Sequence, residues 1–311
     1  MAYKQLFQNI YVIEGSTNVG VIACRIGKTT DIYLVDTGTQ DLDGKNILET
    51  LNFIFPPEKG GFNLCAIINT HSHADHCGAN AYIKERTNCE IWISKGEAGI
   101  IFNPKVQASI VCGGHPFKEL QGPYYLAPSS TCNKILDKNT AVHLPDGCKI
   151  TFTELPGHYL DMLGVIYTGK YGQTCLFCAD AVFGQAHILK YWIPFLYDVK
   201  KFKETLAKID TLEMNWYVPS HGIPVTRINE TVELNQIAVL STEYCVLSSL
   251  QKEKLTKEEL LKRVADRNEI RLGFQQYQLI NCTLNAYLVY LLEENQIAYT
   301  IEENRILWFA K

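Results

Sequence analysis

Over roughly the first two-thirds of the chain, apolar residues come in short runs of two kinds. Ile10 to Glu14, Val19 to Arg25 and Asp31 to Val35 are rich in β-branched and aromatic residues, with Gly15, Gly27 and Gly38 as punctuation, which predicts three strands. Asn46 to Phe55 instead spaces Ile47, Leu48, Leu51 and Ile54 at helical intervals and stops at Pro56-Pro57. Leu64 to Asn69 is apolar without interruption, as expected of a strand covered on both faces. A helix over Ala79 to Arg86 and a strand over Glu90 to Ile93 follow. Lys149 to Leu155, Gly164 to Thr168, Thr174 to Phe177 and Trp216 to Val218 read as further strands, and Lys201 to Leu212 as a helix. Strands alternating with helices place the chain in the α/β class.

Between residues 102 and 140 the pattern weakens. Pro104, Gly113-Gly114, Pro116, Gly122-Pro123 and Pro128 interrupt it, and the stretch is expected to be an irregular, lid-like insert. After about Pro224 the character turns helical. Thr256-Lys257-Glu258-Glu259 has capping-box spacing, and Tyr277 to Asn295 carries Ile280, Leu284, Tyr287, Leu288 and Leu291 near one face. Gln296 to Thr300 and Arg305 to Phe309, joined by a polar turn, predict a terminal hairpin. Helices followed by a hairpin resemble a winged-helix module. Two domains are therefore expected, residues 1–224 and a mostly helical 225–311.

Composition adds little to this picture. The 311 residues are 47% hydrophobic and 20% charged, ordinary values for a globular chain. A formal net charge of −4 supplies no electrostatic argument for nucleic acid or a membrane surface, and no apolar run has the length of a membrane span. The opening residues lack the layout of a secretory leader. Together with 11 scattered cysteines, this predicts reduced thiols and a cytoplasmic setting. Cys175 and Cys178 fall within a predicted strand and have no second pair, so core packing is expected of them.

The chemistry concentrates in His71-Ser72-His73-Ala74-Asp75-His76, directly after the apolar run. Imidazole nitrogen and carboxylate oxygen suit zinc, iron or manganese. Residues two apart on an extended strand end point the same way, so His71 and His73 can share an ion. The turn beyond offers Asp75 and His76 to a second. An ion needs at least three protein ligands, which directs attention to other strand-to-loop junctions. His158 follows Leu155-Pro156-Gly157, Asp180 follows Leu176 to Ala179, and His221 follows Val218-Pro219-Ser220.

In that order, the six-residue motif, Pro-Gly-His, Ala-Asp-Ala-Val-Phe and Ser-His-Gly resemble the metallo-β-lactamase-fold hydrolase superfamily over roughly the first 225 residues. The resemblance implies a four-layer αββα sandwich. It also implies a first ion held by His71, His73 and His158, a second by Asp75, His76 and His221, and Asp180 bridging the two. Asp36, in Asp36-Thr37-Gly38, would orient the ligands. That tripeptide also marks aspartic proteases, which need two copies, and one is present. Two divalent ions, zinc first and iron or manganese as alternatives, would activate a bridging hydroxide, with Asp75 and Asp180 the catalytic carboxylates.

The expected substrate is a small-molecule ester, thioester or lactone, as in the glyoxalase II-like branch. True β-lactamases of the superfamily usually lack an Asp at the Asp180 position. Two alternatives remain: an endoribonuclease or phosphodiesterase of the lactamase-like group, and a mononuclear-iron sulfur oxidoreductase. His115, Tyr159, Lys190, Tyr191 and Trp192 are candidates for substrate contact, as are Tyr124 and Tyr125. For the tail, dimerisation into a homodimer is a further expectation.

Overall fold

The computed structural model describes residues 2–311. One sheet has the order β1 (Tyr3–Phe7), β2 (Ile10–Ile13), β3 (Val19–Ile26), β4 (Thr29–Val35), β5 (Phe62–Ile68), β6 (Glu90–Ser94) and β7 (Lys134–Leu136). Pairing is antiparallel through β4 and parallel from β4 onward. The second sheet is built from β8 (Ala141–His143), β9 (Lys149–Glu154), β10 (Leu163–Thr168), β11 (Thr174–Ala179) and β12 (Trp216–Pro219), in reverse spatial order.

The period-2 alternation of strands explains how the sheets are used on both faces. Ala66 and Ile68 of β5, with Ile22 of β3, face the second sheet, where they meet Phe152, Val165 and Phe177. Ile67, between them, faces the opposite way and packs with Ile47, Leu51 and Ile83. Those residues belong to α1 (Asp41–Ile54) and α3 (Asn80–Thr87), which lie on one outer face with the four-residue α2 (Ala74–Cys77) and α4 (Lys95–Phe102). On the other sheet Cys175 and Phe177 point inward, while Leu176 and Cys178 meet Phe202 and Leu206. The result is the expected four-layer αββα sandwich. Both cysteines of the Cys175-x-x-Cys178 pair are core residues, and all 11 cysteines are free.

The stretch from 102 to 140 departs from the expectation of an irregular insert. It holds α5 (Lys105–Cys112), a 3-10 turn at Lys118–Leu120, and the edge strand β7. Pro104 and Gly113, which interrupt the apolar pattern, are the two ends of α5: Pro104 is its N-cap, and Gly113 closes it at φ +76°. Eight residues are too few to display a helical period, so in the sequence the caps look like breaks. Ala108 and Val111 of α5 pack with Leu120 and Tyr125 against Phe195 and Leu279.

Beyond the sandwich lie α6 (Gln185–Tyr191), α7 (Val199–Thr211), α8 (Asn229–Leu250), α9 (Lys257–Arg267), α10 (Phe274–Glu293) and a hairpin of β13 (Ile297–Glu302) and β14 (Arg305–Ala310). Beyond Pro224 the helices have a core of their own, including Val246, Leu260, Leu284 and Ile297, and also pack on the second sheet. Val232 and Val239 of α8, with Ala286 and Tyr287 of α10, share a core with β11 and α7. No helix among the described residues is long and apolar enough to cross a membrane.

The turn that carries His158 is locked against α7. Gly157 sits at φ +124°, and a Cβ there would lie 2.3 Å from the backbone nitrogen of Phe202. Its carbonyl accepts hydrogen bonds from Tyr197 and Asp198 N–H. Gly157→Ala is expected to cost about 3 kcal/mol through backbone strain and displacement of α7. Thermal unfolding should show a midpoint several degrees lower.

Candidate metal centre

Parallel and twice-reversed strands bring every ligand loop to one end of the sandwich. β4 and β5 run parallel and deliver Asp36 and the His71–His76 segment. β9 is antiparallel to β10 and β10 to β11, so β9 and β11 run the same way, and β12 is parallel to β11. His158, Asp180 and His221 therefore leave the second sheet on the same side. Two non-glycine residues there take positive φ, Asp36 at 63° and Ala179 at 51°, where the backbone turns sharply off β4 and β11.

The structure brings together all seven residues that the sequence singles out as ligands, in two groups. His71, His73, His158 and Asp180 form one, and Asp75, His76 and His221 the other. In the first group, His73 Nδ1 lies 2.9 Å from His71 Nε2 and 3.0 Å from His158 Nε2. Hydrogen bonds outside the cluster set the tautomers. His158 Nδ1–H donates to the Phe195 carbonyl at 2.8 Å, and His71 Nδ1–H to Thr70 Oγ1 at 3.1 Å. Both Nε2 atoms thus aim lone pairs at His73. Burial, followed by repulsion from the neighbouring imidazoles His76 and His73, holds His71 well below its ordinary pKa. Burial and His158 do the same for His73. Protons are disfavoured there, and a coordinated cation satisfies the same nitrogens.

In the second group the imidazoles lie beside carboxylates. His221 Nε2 lies 3.2 Å from Asp75 Oδ2 and 3.4 Å from Asp180 Oδ2, and its Nδ1–H donates to the Ser16 carbonyl at 2.8 Å. Burial opposes charge on His76 and His221. The carboxylates outweigh it, Asp180 foremost, and push His76 well up and His221 up to about 10. Burial likewise works against ionised Asp180, but His221, His76 and His158 hold it well below the usual carboxylate range. His76 Nε2 and Asp180 Oδ1, buried and 3.4 Å apart, have no hydrogen-bond partner in the protein. Two orphaned ligand atoms facing one another fit a cation between them.

Residues around the clusters hold them in place. Asp36 accepts from His76 Nδ1–H and Thr70 Oγ1–H, both at 2.8 Å, and from Thr70 N–H at 2.8 Å. Through Thr70 it also orients His71. Sequence reasoning missed Glu97, a fully buried carboxylate at the start of α4. It accepts from Ser72 N–H and Oγ–H and from Asp161 N–H, joining the His71–His73 loop to the loop after His158. Thr17 was missed as well; its hydroxyl donates to Asp75 Oδ2 at 3.1 Å. No local pattern marks either residue, since their partners lie 25 to 64 positions away.

A cavity of about 350 Å³ opens onto the cluster, reaching His73, Asp75, His158, Asp180 and His221. Of the substrate-contact candidates, Tyr191, Tyr124 and Tyr125 line it. The other four do not. His115 is exposed beyond α5. Tyr159 is buried behind the ligands, its ring centroid 4.1 Å from that of His73. Lys190 is exposed with its Nζ over the Tyr191 ring, and Trp192 packs into the C-terminal core. Successive residues near the end of α6 point in different directions, so adjacency to Tyr191 does not carry Lys190 or Trp192 to the cavity. The residue one turn earlier does reach it: His187 shares the face of Tyr191, lines the cavity, and stacks on Phe183 and His221 at 4.8 Å each. Burial, then His221, pushes His187 down to about 4 and keeps it neutral at neutral pH.

Because Asp36 sets the orientation of two ligand histidines, Asp36→Ala is expected to weaken metal binding by roughly 10–100-fold while the fold survives. Chelator competition monitored alongside circular dichroism tests both halves of that statement.

Comparison with known proteins agrees with this geometry. The Metallo-beta-lactamase superfamily profile matches residues 12–221, a span containing all seven clustered residues. A beta-lactamase domain protein from Burkholderia ambifaria superposes with a TM-score of 0.75 at 14% identity, covering 99% of this chain and 93% of its own. A metallo-beta-lactamase family protein from Thermus thermophilus does so with 0.72 at 17% identity, covering 99% and 100%. At such identities the likeness speaks for the fold alone, and it extends through the C-terminal helices. A hydroxyacylglutathione hydrolase from Thiobacillus denitrificans is 28% identical over 127 residues, 40% of this chain and 35% of that protein. The chain thus matches about a third of that relative's length. With the fold, the histidine–aspartate cluster and the profile in agreement, this chain belongs to the metallo-beta-lactamase superfamily.

Proposed function

We propose that the protein holds two divalent ions and hydrolyses the carbonyl bond of a small-molecule ester, thioester or lactone. The observation that carries the two-ion reading is the position of Asp180. One of its oxygens, Oδ2, lies 3.3 Å from His158 Nε2 and 3.4 Å from His221 Nε2, and the other lies 3.4 Å from His76 Nε2. A single carboxylate is thereby shared between a three-histidine group and an Asp-His-His group. The all-nitrogen-and-oxygen donor set suits zinc, which we propose as the ion, although iron and manganese accept the same donors.

When bound, two such ions would supply a lowered water pKa and polarisation of the attacked carbonyl. The chain's own part is to hold and orient. Asp36, Ser16 and the Phe195 carbonyl fix the imidazoles through their outer N–H groups. Thr17 fixes Asp75 at Oδ2, beside His221. Phe183, His187 and Tyr191 wall the approach to the cluster. No serine or cysteine nucleophile is required, and Cys77, buried with its thiol pushed well up by burial and by Asp36, is unsuited to that task. Likeness to a hydroxyacylglutathione hydrolase over part of the chain supports the acyl-hydrolase class.

Elemental analysis of purified protein should find about two divalent ions per chain. Asp180→Ala should reduce that content and lower turnover of a reactive ester by at least about 100-fold. Near-normal turnover in the variant, or a single iron per chain in the parent, would sink the reading.

A further inference from the structure

The metal ligands line part of the cavity; Gln107 and Val111 of α5 and Leu279, Ile280 and Thr283 of α10, helices that belong to neither sheet, line another part. We propose that this wall selects an uncharged acyl compound, whose apolar chain lies against α10, so that the C-terminal helices determine substrate class. The proposal rests on the acyl-hydrolase reading above.

Among the described residues, no lysine or arginine lines the cavity. Away from the ligands, its surface is Val111 and Tyr125 on the α5 side, Ile193 and Phe195 on the connecting loop, and Leu279 and Ile280 on α10. The polar groups on these walls are neutral ones, chiefly the amides of Gln107 and Gln276 and the hydroxyl of Thr283. Amides offer both a donor and an acceptor and suit an uncharged polar group. A phosphate or carboxylate carried into this space would lose hydration and meet no countercharge on the wall. Lys190, the cation next in sequence to Tyr191, is exposed and lies over the Tyr191 ring instead.

α10 is also joined to the metal site. Thr283 Oγ1 accepts from Leu196 N–H at 3.3 Å, in the loop whose Phe195 carbonyl holds His158. Leu279 lies one turn earlier, half-buried, and makes no ligand contact, so it can be changed without touching that link. Each methylene buried on the wall should raise kcat/KM on the order of fourfold.

The test uses the metal-loaded full chain with p-nitrophenyl acetate, butyrate and hexanoate, and a hexanoyl-length ester ending in a sulfonate. Binding of N-propylhexanamide and its sulfonate-tailed analogue, by calorimetry, runs in parallel. The expected result is a kcat/KM that climbs with chain length and falls by at least roughly tenfold for the sulfonate, with the same preference in binding. Leu279→Lys, with metal content unchanged, should shift both readouts toward the sulfonate. A flat length profile, a wild-type preference for the sulfonate, or a Leu279→Lys protein indistinguishable from wild type would overturn the proposal and leave the hydrolase reading intact. Absence of any ester turnover with the neutral-ligand preference retained in binding would overturn the hydrolase reading instead, and support the wall as assigned.

Discussion

Three imidazole nitrogens, His71 Nε2, His73 Nδ1 and His158 Nε2, converge within about 3 Å, and one proton on His73 cannot satisfy both neighbours, so a shared cation fits them better. That constraint organises the rest of this protein. His71, His73 and His158 come from two different sheets, and each has its free nitrogen turned inward because its other nitrogen, or its ring, is held from outside. The acidic neighbours Asp75 and Asp180 complete the balance. Together they turn a cluster that would repel itself into one that fits positive charge.

Holding such a cluster demands rigidity, and the fold concentrates it at one edge. Asp36 and Ala179 sit at positive φ at strand ends, and Gly157 is wedged against the α7 backbone. Glu97 spans the two loops that carry His73 and His158. The segment from Gly15 to Asn18 reaches from the first sheet to the second: Ser16 holds His221, Thr17 holds Asp75, and Asn18 donates to the Pro219 and Gly222 carbonyls. Two sheets that pack through apolar side chains are thereby tied by hydrogen bonds where the ligands must not move. Mutual positioning within a fraction of an ångström is what such sites require.

The helices after Pro224 extend this logic from the metal centre to the molecule it acts on. α8 and α10 share a core with the second sheet through Val232, Val239, Ala286 and Tyr287, which anchors the helix lining the cavity to the sheet that carries His158, Asp180 and His221. A reaction centre common to many hydrolases can then be paired with a wall that admits one chemical class, by changing side chains on α5 and α10 alone.

How much of this the chain displays in its order of residues depends on the range of the interaction. β5 and β11 were legible because strands buried on both faces are continuous apolar runs. α1, α7 and α10 were legible because their apolar residues recur at helical spacing. β1, β7 and β8 were not: β1 has exposed residues with little alternation, and the other two are three residues long. α5 was hidden behind its own caps. At the site, His71 to His76 announce themselves because four ligand residues within six positions have no ordinary structural cause, and Asp36, His158, Asp180 and His221 sit at strand ends in an order shared with a known family. Glu97, Thr17 and His187 had no such mark, and His115, Tyr159, Lys190 and Trp192 were misplaced around the cavity. Ligand identity is a matter of which side chains exist and where strands stop, and short-range pattern determines both. Which side chains line the space above the ligands depends on helix rotation and on contacts between residues far apart in the chain, and only tertiary packing decides those.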